Sequence, residues 1–204
     1  MNHVVAICGT MGSGKSTMLE RLSSQLEGCI VLQEDDYNPA TLQSVDEVQA
    51  WWDRGGELDE FDLSPLVAKL NAETAGADSI VFLETQFGRL HPALRPLIDL
   101  QIWIDVDADI AFARKVAQLS REMLSQRESE ASDDSLEWLA GFCDSYVHTT
   151  RKLFAKQRIQ VGQQADERID GSGAPEVTFG RIQAVLAPLF GFEQAEVIVK
   201  ESLL

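Results

Sequence analysis

The chain has 204 residues, 45% of them hydrophobic and 25% charged, the balance of a globular domain able to bury a sizeable core, which excludes collagen-like, disordered and disulfide-stapled classes. Seventeen Lys and Arg against 33 Asp and Glu give a formal net charge of −16, which argues against affinity that comes from neutralising nucleic-acid phosphates or anionic lipid. Any phosphate this protein binds has to be held locally.

In chain order, Val4–Cys8 is a β-branched run ending at Gly9 and predicts a buried parallel strand. Ser16–Leu26 puts Leu19, Leu22 and Leu26 on one helical face, Gly28 stops that helix, and Cys29–Leu32 predicts a second strand. An acidic turn, Glu34-Asp35-Asp36-Tyr37, follows. Ser44–Trp52 predicts a helix with Ser44 as N-cap and Glu47 in the capping-box position, ended by Arg54-Gly55-Gly56. Ser64 is expected to cap the next helix, with Pro65 in its first turn.

Strands are expected at Ser79–Leu83 and Leu100–Ile104, with a short helix bracketed by Pro92 and Pro96 between them. Asp107 opens a long helix to Arg127, and another runs from Ser135 to Arg158. Ala165–Ile169 reads as an edge strand, Gly171-Ser172-Gly173 as a turn, and Pro175–Leu186 as a helix. Strands alternating with helices imply an α/β fold, a three-layer doubly wound parallel sheet covered on both faces. We expect one domain over residues 1–204, with 107–134 as the candidate helical lid.

The negative charge is concentrated in two stretches. Residues 34–78 carry twelve acids against Arg54 and Lys69, and residues 128–144 carry six acids and no base. The three cysteines, Cys8, Cys29 and Cys143, are odd in number and lack CxxC spacing, so neither a disulfide framework nor a zinc site is expected. With no leader-like start and no apolar run near the ~20 residues of a membrane span, a cytoplasmic protein without membrane or nucleic-acid partners is expected.

Gly9-Thr10-Met11-Gly12-Ser13-Gly14-Lys15-Ser16-Thr17 matches GxxxxGK[ST] and falls between a predicted strand and a predicted helix, the context this phosphate loop requires. Its glycines let successive N–H groups turn inward, and the helix dipole adds roughly half a positive charge at the same point. Lys15 is expected on the β and γ phosphates of ATP and Ser16 on Mg²⁺, with Thr17 beside it. The base-reading [NT]KxD segment of GTPases and the LSGGQ of ABC-type ATPases are both absent. Small kinases and nucleotide-regulated switches remain.

Phosphoryl transfer to a hydroxyl needs a carboxylate that orients or deprotonates the acceptor. Asp35, directly after the second strand, is the candidate, with Asp36 and Tyr37 beside it on the acceptor side. Glu84 ends the third strand, where a carboxylate can hold Mg²⁺ or the acceptor hydroxyl, and Arg89 follows on the loop as a possible acceptor contact. Tyr37 and Trp51 or Trp52 are candidates to stack on an acceptor ring. His91 and His148 read as structural.

With these residues in place, the chain resembles the uridine kinase, phosphoribulokinase and nicotinamide riboside kinase group of P-loop kinases. Glu34-Asp35-Asp36-Tyr37 is similar to that group's QDDFY-like segment, whose first aspartate is the catalytic base, which puts that role on Asp35. Residues 56–70 (GELDEFDLSPLVAKL) look like the acidic FDxxxLxxxL stretch near substrate, and 79–85 (SIVFLET) like the strand ending in Glu-Gly. Residues 100–116 resemble the strand, Asp and helix that lead into the lid, and Ala165-Asp166 with the 171–173 turn resembles the segment bordering the adenine. In the lid, Arg114-Lys115-Val116-Ala117-Gln118-Leu119 departs from RRxxRD; Arg121, one turn beyond Gln118, is placed to substitute. Thr85 and Gln86 replace the usual glycine after the strand-end glutamate.

The resemblance implies an ATP- and Mg²⁺-dependent kinase of a small metabolite, nucleoside-like, with Lys15, Asp35 and Arg114 as catalytic residues and Lys115 and Arg121 completing the lid. Two alternatives stand beside it. One is a nucleotide-binding regulator or degenerate kinase that phosphorylates no acceptor. The other is a nucleoside monophosphate kinase, which requires arginines facing the acceptor phosphate, whereas residues 34–78 contain Arg54 alone. An acidic acceptor side suits a neutral or cationic small molecule. A homodimer is compatible with all three.

Overall fold

The short apolar runs at 4–8, 30–32, 80–83 and 100–104 become strands of one parallel sheet, and the more polar Glu167–Asp170 adds its edge. The computed structural model describes residues 3–37, 47, 50–51, 53–57, 60–76, 80–125 and 134–190. The strands are β1 (His3–Cys8), β2 (Ile30–Gln33), β3 (Ile80–Thr85), β4 (Leu100–Asp105) and β5 (Glu167–Asp170), and their spatial order is β2-β3-β1-β4-β5. The helices are α1 (Lys15–Gln25), α2 (Ser64–Thr74), α3 (Ala108–Ser125), α4 (Asp134–Ser145), α5 (Arg151–Gln160) and α6 (Pro175–Phe190). Every strand pairing is parallel, with Ile7 opposite Glu84 and Leu32 opposite Leu83, as the alternation of strands and helices requires.

Alternate residues of β1 serve opposite faces. Val4, Ala6 and Cys8 join Leu66, Leu70, Leu94, Trp51, Phe61 and Trp103 in one core layer, while Val5 and Ile7 join Leu19, Leu22, Ile102, Phe179 and Ile182 in the other. Each large aliphatic side chain buried there contributes about 1.5–3 kcal/mol, which is why the strands read as near-continuous apolar runs. β1 has neighbours on both sides that come later in the chain, so the crevice above its carboxyl end is the topological switch point where such sheets bind ligands.

Three local expectations are corrected. Ser64 does not cap α2: it is the first helical residue, and its N–H donates to Asp62 Oδ1 at 3.0 Å. No α-helix forms between Pro92 and Pro96; a 3-10 turn at Gly88–Leu90 and a succession of turns replace it, since two prolines remove donors that a helix needs. The helix expected from Ser135 to Arg158 is interrupted by a π-helical segment, Tyr146–Thr150, between α4 and α5. An extra residue per turn rotates the following face by about 100°.

One side of the helical run holds an aromatic ladder. Tyr146 stacks on Phe112 of α3 at 3.9 Å between centroids, Phe142 stacks on Trp138 at 5.6 Å, and Phe154 meets Tyr146 edge-on at 5.9 Å. Trp51 is core, with its Nε1 donating to Glu57 O and its ring edge-on to Phe61, so it offers no face to a ligand. The rest of the Ser44–Trp52 helix, the acidic stretch from 128 to 133 and the last fourteen residues lie outside the described residues. Among the described residues no helix is long and apolar enough to cross a membrane.

Candidate functional site

The loop after β1 closes over the amino end of α1. Gly12 and Gly14 have φ of 80° and 96°, a left-handed backbone that costs other residues strain, and Gly12 has no room for a Cβ because the carbonyl of Ala111 on α3 occupies that space. Lys15 curls back over the loop and donates to Gly9 O at 2.9 Å and Thr10 O at 3.2 Å, with its Nζ 3.9 Å from Glu84 Oε1. Burial lowers the Lys15 pKa, and the Glu84 carboxylate, followed by Asp35 and Glu34, pulls it back up. The loop therefore holds the Lys15 side chain on its own carbonyls.

A cleft of about 680 Å³ lies above this loop. Gly12, Ser13, Gly14, Lys15, Ser16 and Thr17 form its floor, Asp35 and Glu84 one wall, and Arg114, Lys115, Gln118 and Arg121 of α3 another. These α3 positions recur every three to four residues, so Arg121 lines the cleft on the same helix face as Arg114, Lys115 and Gln118. Arg114 is committed in this conformation: its guanidinium donates to Gly171 O at 2.7 Å, Ser172 O at 2.9 Å and Gly173 O at 3.2 Å, bracing the turn that borders the loop.

Ser16 Oγ donates to Glu84 Oε1 at 3.1 Å, and Glu84 Oε2 is buried without a hydrogen-bond partner. Among the described residues there is no cluster of three acidic, histidine or cysteine ligands. One hydroxyl and one carboxylate with a spare oxygen fit Mg²⁺, which takes few protein ligands and relies on phosphates and water for the rest.

Three expected residues are not brought to the cleft. Asp36 is exposed beyond it, and Tyr37 ends the 3-10 turn Glu34–Tyr37 packed against the core layer. Arg89 runs back along the sheet instead of facing an acceptor. Its guanidinium is taken by Asp166 at 2.8 Å, Asp99 O at 2.7 Å and Ile98 O at 3.2 Å. Asp166 is thus a partner of Arg89, and the cleft on that side is bordered by Gly171, Gly173, Pro175 and Thr178.

Other cleft residues carry no motif. Thr150, Leu153 and Phe154 line it because the π segment turns α5 inward, and α5 is pinned to the sheet by Arg158, which pairs with Asp105 at 2.7 Å and Asp107 at 3.0 Å. Thr85 and Gln86 line it beside Asp35, and Gln86 Nε2 donates to Asp35 Oδ1 at 3.3 Å. In the sequence they stand out as the residues that replace the usual glycine after the strand-end glutamate.

Glu34 is 4% exposed, and its carboxylate accepts the Thr85 hydroxyl. Burial raises its pKa from the usual 4.5 to about 7, against the opposing hydrogen bond from Thr85. A folded pKa above the unfolded one means a contribution fully present below pH 4.5 and lost as the pH rises through 7, about 3 kcal/mol in all. Glu34→Gln is therefore expected to track the wild type near pH 4 and to gain on it progressively up to pH 8. Urea midpoints measured across that range check this, and a gap that does not widen with pH contradicts it.

A family model described as an AAA domain matches residues 5–133, more than half of the chain. The chain belongs to this family. Among curated relatives it is 23% identical over 198 residues to a uridine kinase of Ligilactobacillus salivarius, covering 85% of this chain and 87% of that protein. It is 25% identical to a uridine kinase of Deinococcus deserti, covering 73% and 83%. The likeness to the uridine kinase group of P-loop kinases seen in the motifs thus extends over most of the chain. A solved gluconokinase from Sinorhizobium meliloti superposes with a TM-score of 0.54 at 15% identity over 93% of this chain and 94% of that one, a likeness of fold.

Proposed function

We propose that this protein is an ATP- and Mg²⁺-dependent phosphotransferase that phosphorylates a hydroxyl of a small, neutral or cationic, nucleoside-like metabolite. The observation that carries the reading is the meeting of two strand-end carboxylates with the phosphate loop: Ser16 Oγ on Glu84, Glu84 keeping one buried oxygen unpartnered, and Asp35 on the same wall. The names of the curated relatives favour a nucleoside-like acceptor.

In this reading Lys15 and the inward N–H groups of Gly12 to Ser16 neutralise the β and γ phosphates. Ser16 and Glu84 would hold Mg²⁺, which would offset the charge that builds on the phosphate oxygens. Asp35 takes the proton of the acceptor hydroxyl while the acceptor's oxygen forms a bond to the γ-phosphorus. The bond from phosphorus to the β–γ bridging oxygen breaks and ADP leaves. Arg121 and Lys115 of α3 face the transferring group, and Arg114 holds the nucleotide-side turn. Beside Asp35 the cleft is lined by Gln86 and Thr150, and among the described residues its arginines, Arg114 and Arg121, come from α3 on another wall, which supports an unphosphorylated acceptor.

The test is ADP release by the purified protein with ATP and Mg²⁺ across neutral nucleosides and polyols, cationic ribosides and phosphomonoesters. We expect acceptor-dependent turnover with kcat/KM at least about tenfold higher for the best unphosphorylated acceptor than for any phosphomonoester. Preference for a phosphomonoester reverses the charge argument. ATP binding without turnover on any acceptor makes the protein a nucleotide-binding regulator.

A further inference from the structure

β2 and β3 end side by side with Gln33 paired to Glu84, so the next residues across the gap are Glu34 and Thr85, then Asp35 and Gln86. Sheet pairing stops here, yet the order continues through side chains. The Thr85 hydroxyl donates to Glu34 Oε2, and its oxygen accepts the N–H groups of Phe87 at 3.1 Å and Gly88 at 3.0 Å. The N–H of Gln86 goes to the Glu34 carboxylate. Two buried side chains therefore satisfy three consecutive amides that would otherwise be orphaned in the interior. With its backbone fixed in this way, Gln86 reaches Asp35 with its amide.

We propose that Glu34 and Thr85 form a positioning pair for phosphoryl transfer: they set the spacing between Asp35 and Glu84 and aim the Gln86 amide at Asp35, acting through those groups and taking no part in the proton or phosphoryl transfer. The proposal rests on Asp35 being the group that activates the acceptor. Each member of the pair is adjacent in sequence to one of the two carboxylates, and each is held by the other. A small displacement of a reacting group costs far more rate than binding, so the pair belongs to kcat.

The experiment compares Thr85→Val, which keeps shape and loses the hydroxyl, with Thr85→Ser, which restores it. Thr85→Val is expected to lower kcat roughly 30-fold with the KM for ATP within about twofold, and Thr85→Ser to stay within about threefold of wild type. In an Asp35→Ala background Thr85→Val should cost nothing further, because there is no base left to position. Should Thr85→Val fail to fold, Gln86→Ala carries the test from the solvent-facing end of the same chain of bonds, with about a tenfold loss that likewise vanishes without Asp35. An active wild type matched by Thr85→Val, or a loss that persists in Asp35→Ala, overturns the pair and leaves the kinase reading standing. A wild type inert on every acceptor removes the kinase reading and the pair with it.

Discussion

Asp35→Asn is expected to lower acceptor-dependent kcat by about 10²–10⁴-fold while ATP affinity changes by less than about twofold. Asparagine has the size of aspartate, and its carbonyl can still accept the Gln86 amide that Asp35 Oδ1 accepts at 3.3 Å, so the wall of the cleft keeps its shape. What disappears is the group able to take the acceptor's proton. The phosphate loop, to which the proposed reading assigns ATP affinity, lies on the floor of the cleft and is built from a separate segment. ADP release measured beside nucleotide titration separates the two quantities. A parallel fall in both would move Asp35 from the acceptor to the nucleotide.

Lys15→Met should be more general in its damage, with kcat lower by at least about 10³-fold and ATP binding weakened as well. The ammonium is buried and held by Gly9 O and Thr10 O, which places it over the centre of the loop before any nucleotide arrives. Burial lowers its pKa and the carboxylates of Glu84, Asp35 and Glu34 act against that, in a setting where charge is weakly screened. Methionine fills the volume and supplies none of that charge. Lys15→Arg is expected to fail nearly as badly, because a planar guanidinium does not fit a point-charge site between two carbonyls. Thermal melting of both variants confirms that the loss is one of function.

The strands, the phosphate loop and the two strand-end carboxylates were readable because each is a local pattern. β-branched runs, a glycine-rich turn before a helix and an acid just past a strand all announce themselves within ten residues. Arg89 was not readable, since what decides its role is Asp166, 77 residues further on, and two carbonyls before β4. Arg114 shows the same limit: its helical position was clear, but the three carbonyls it holds belong to a turn 57 to 59 residues away. The wall formed by Thr150, Leu153 and Phe154 escaped for another reason. A periodicity of 3.6 carried unbroken through Tyr146–Thr150 puts the following residues on the wrong face, and no residue type in that segment signals a π turn. Tyr37 looked available beside Asp35 because a four-residue acidic turn does not say which of its members points down into the core.

The aromatic ladder between α3 and α4 also has a spectroscopic consequence. Trp51 and Trp103 are buried in the core, whereas Trp138, at the outer end of the ladder, is 52% exposed. Iodide in the solvent reaches an indole on the surface and is shut out from one in a packed core. With Trp52, which lies outside the described residues, replaced by phenylalanine, the quenchable part of the intrinsic fluorescence comes from Trp138. The helix that carries it leads through the π segment into the cleft wall, so the protein has a native optical probe on the element that flanks its ligand site.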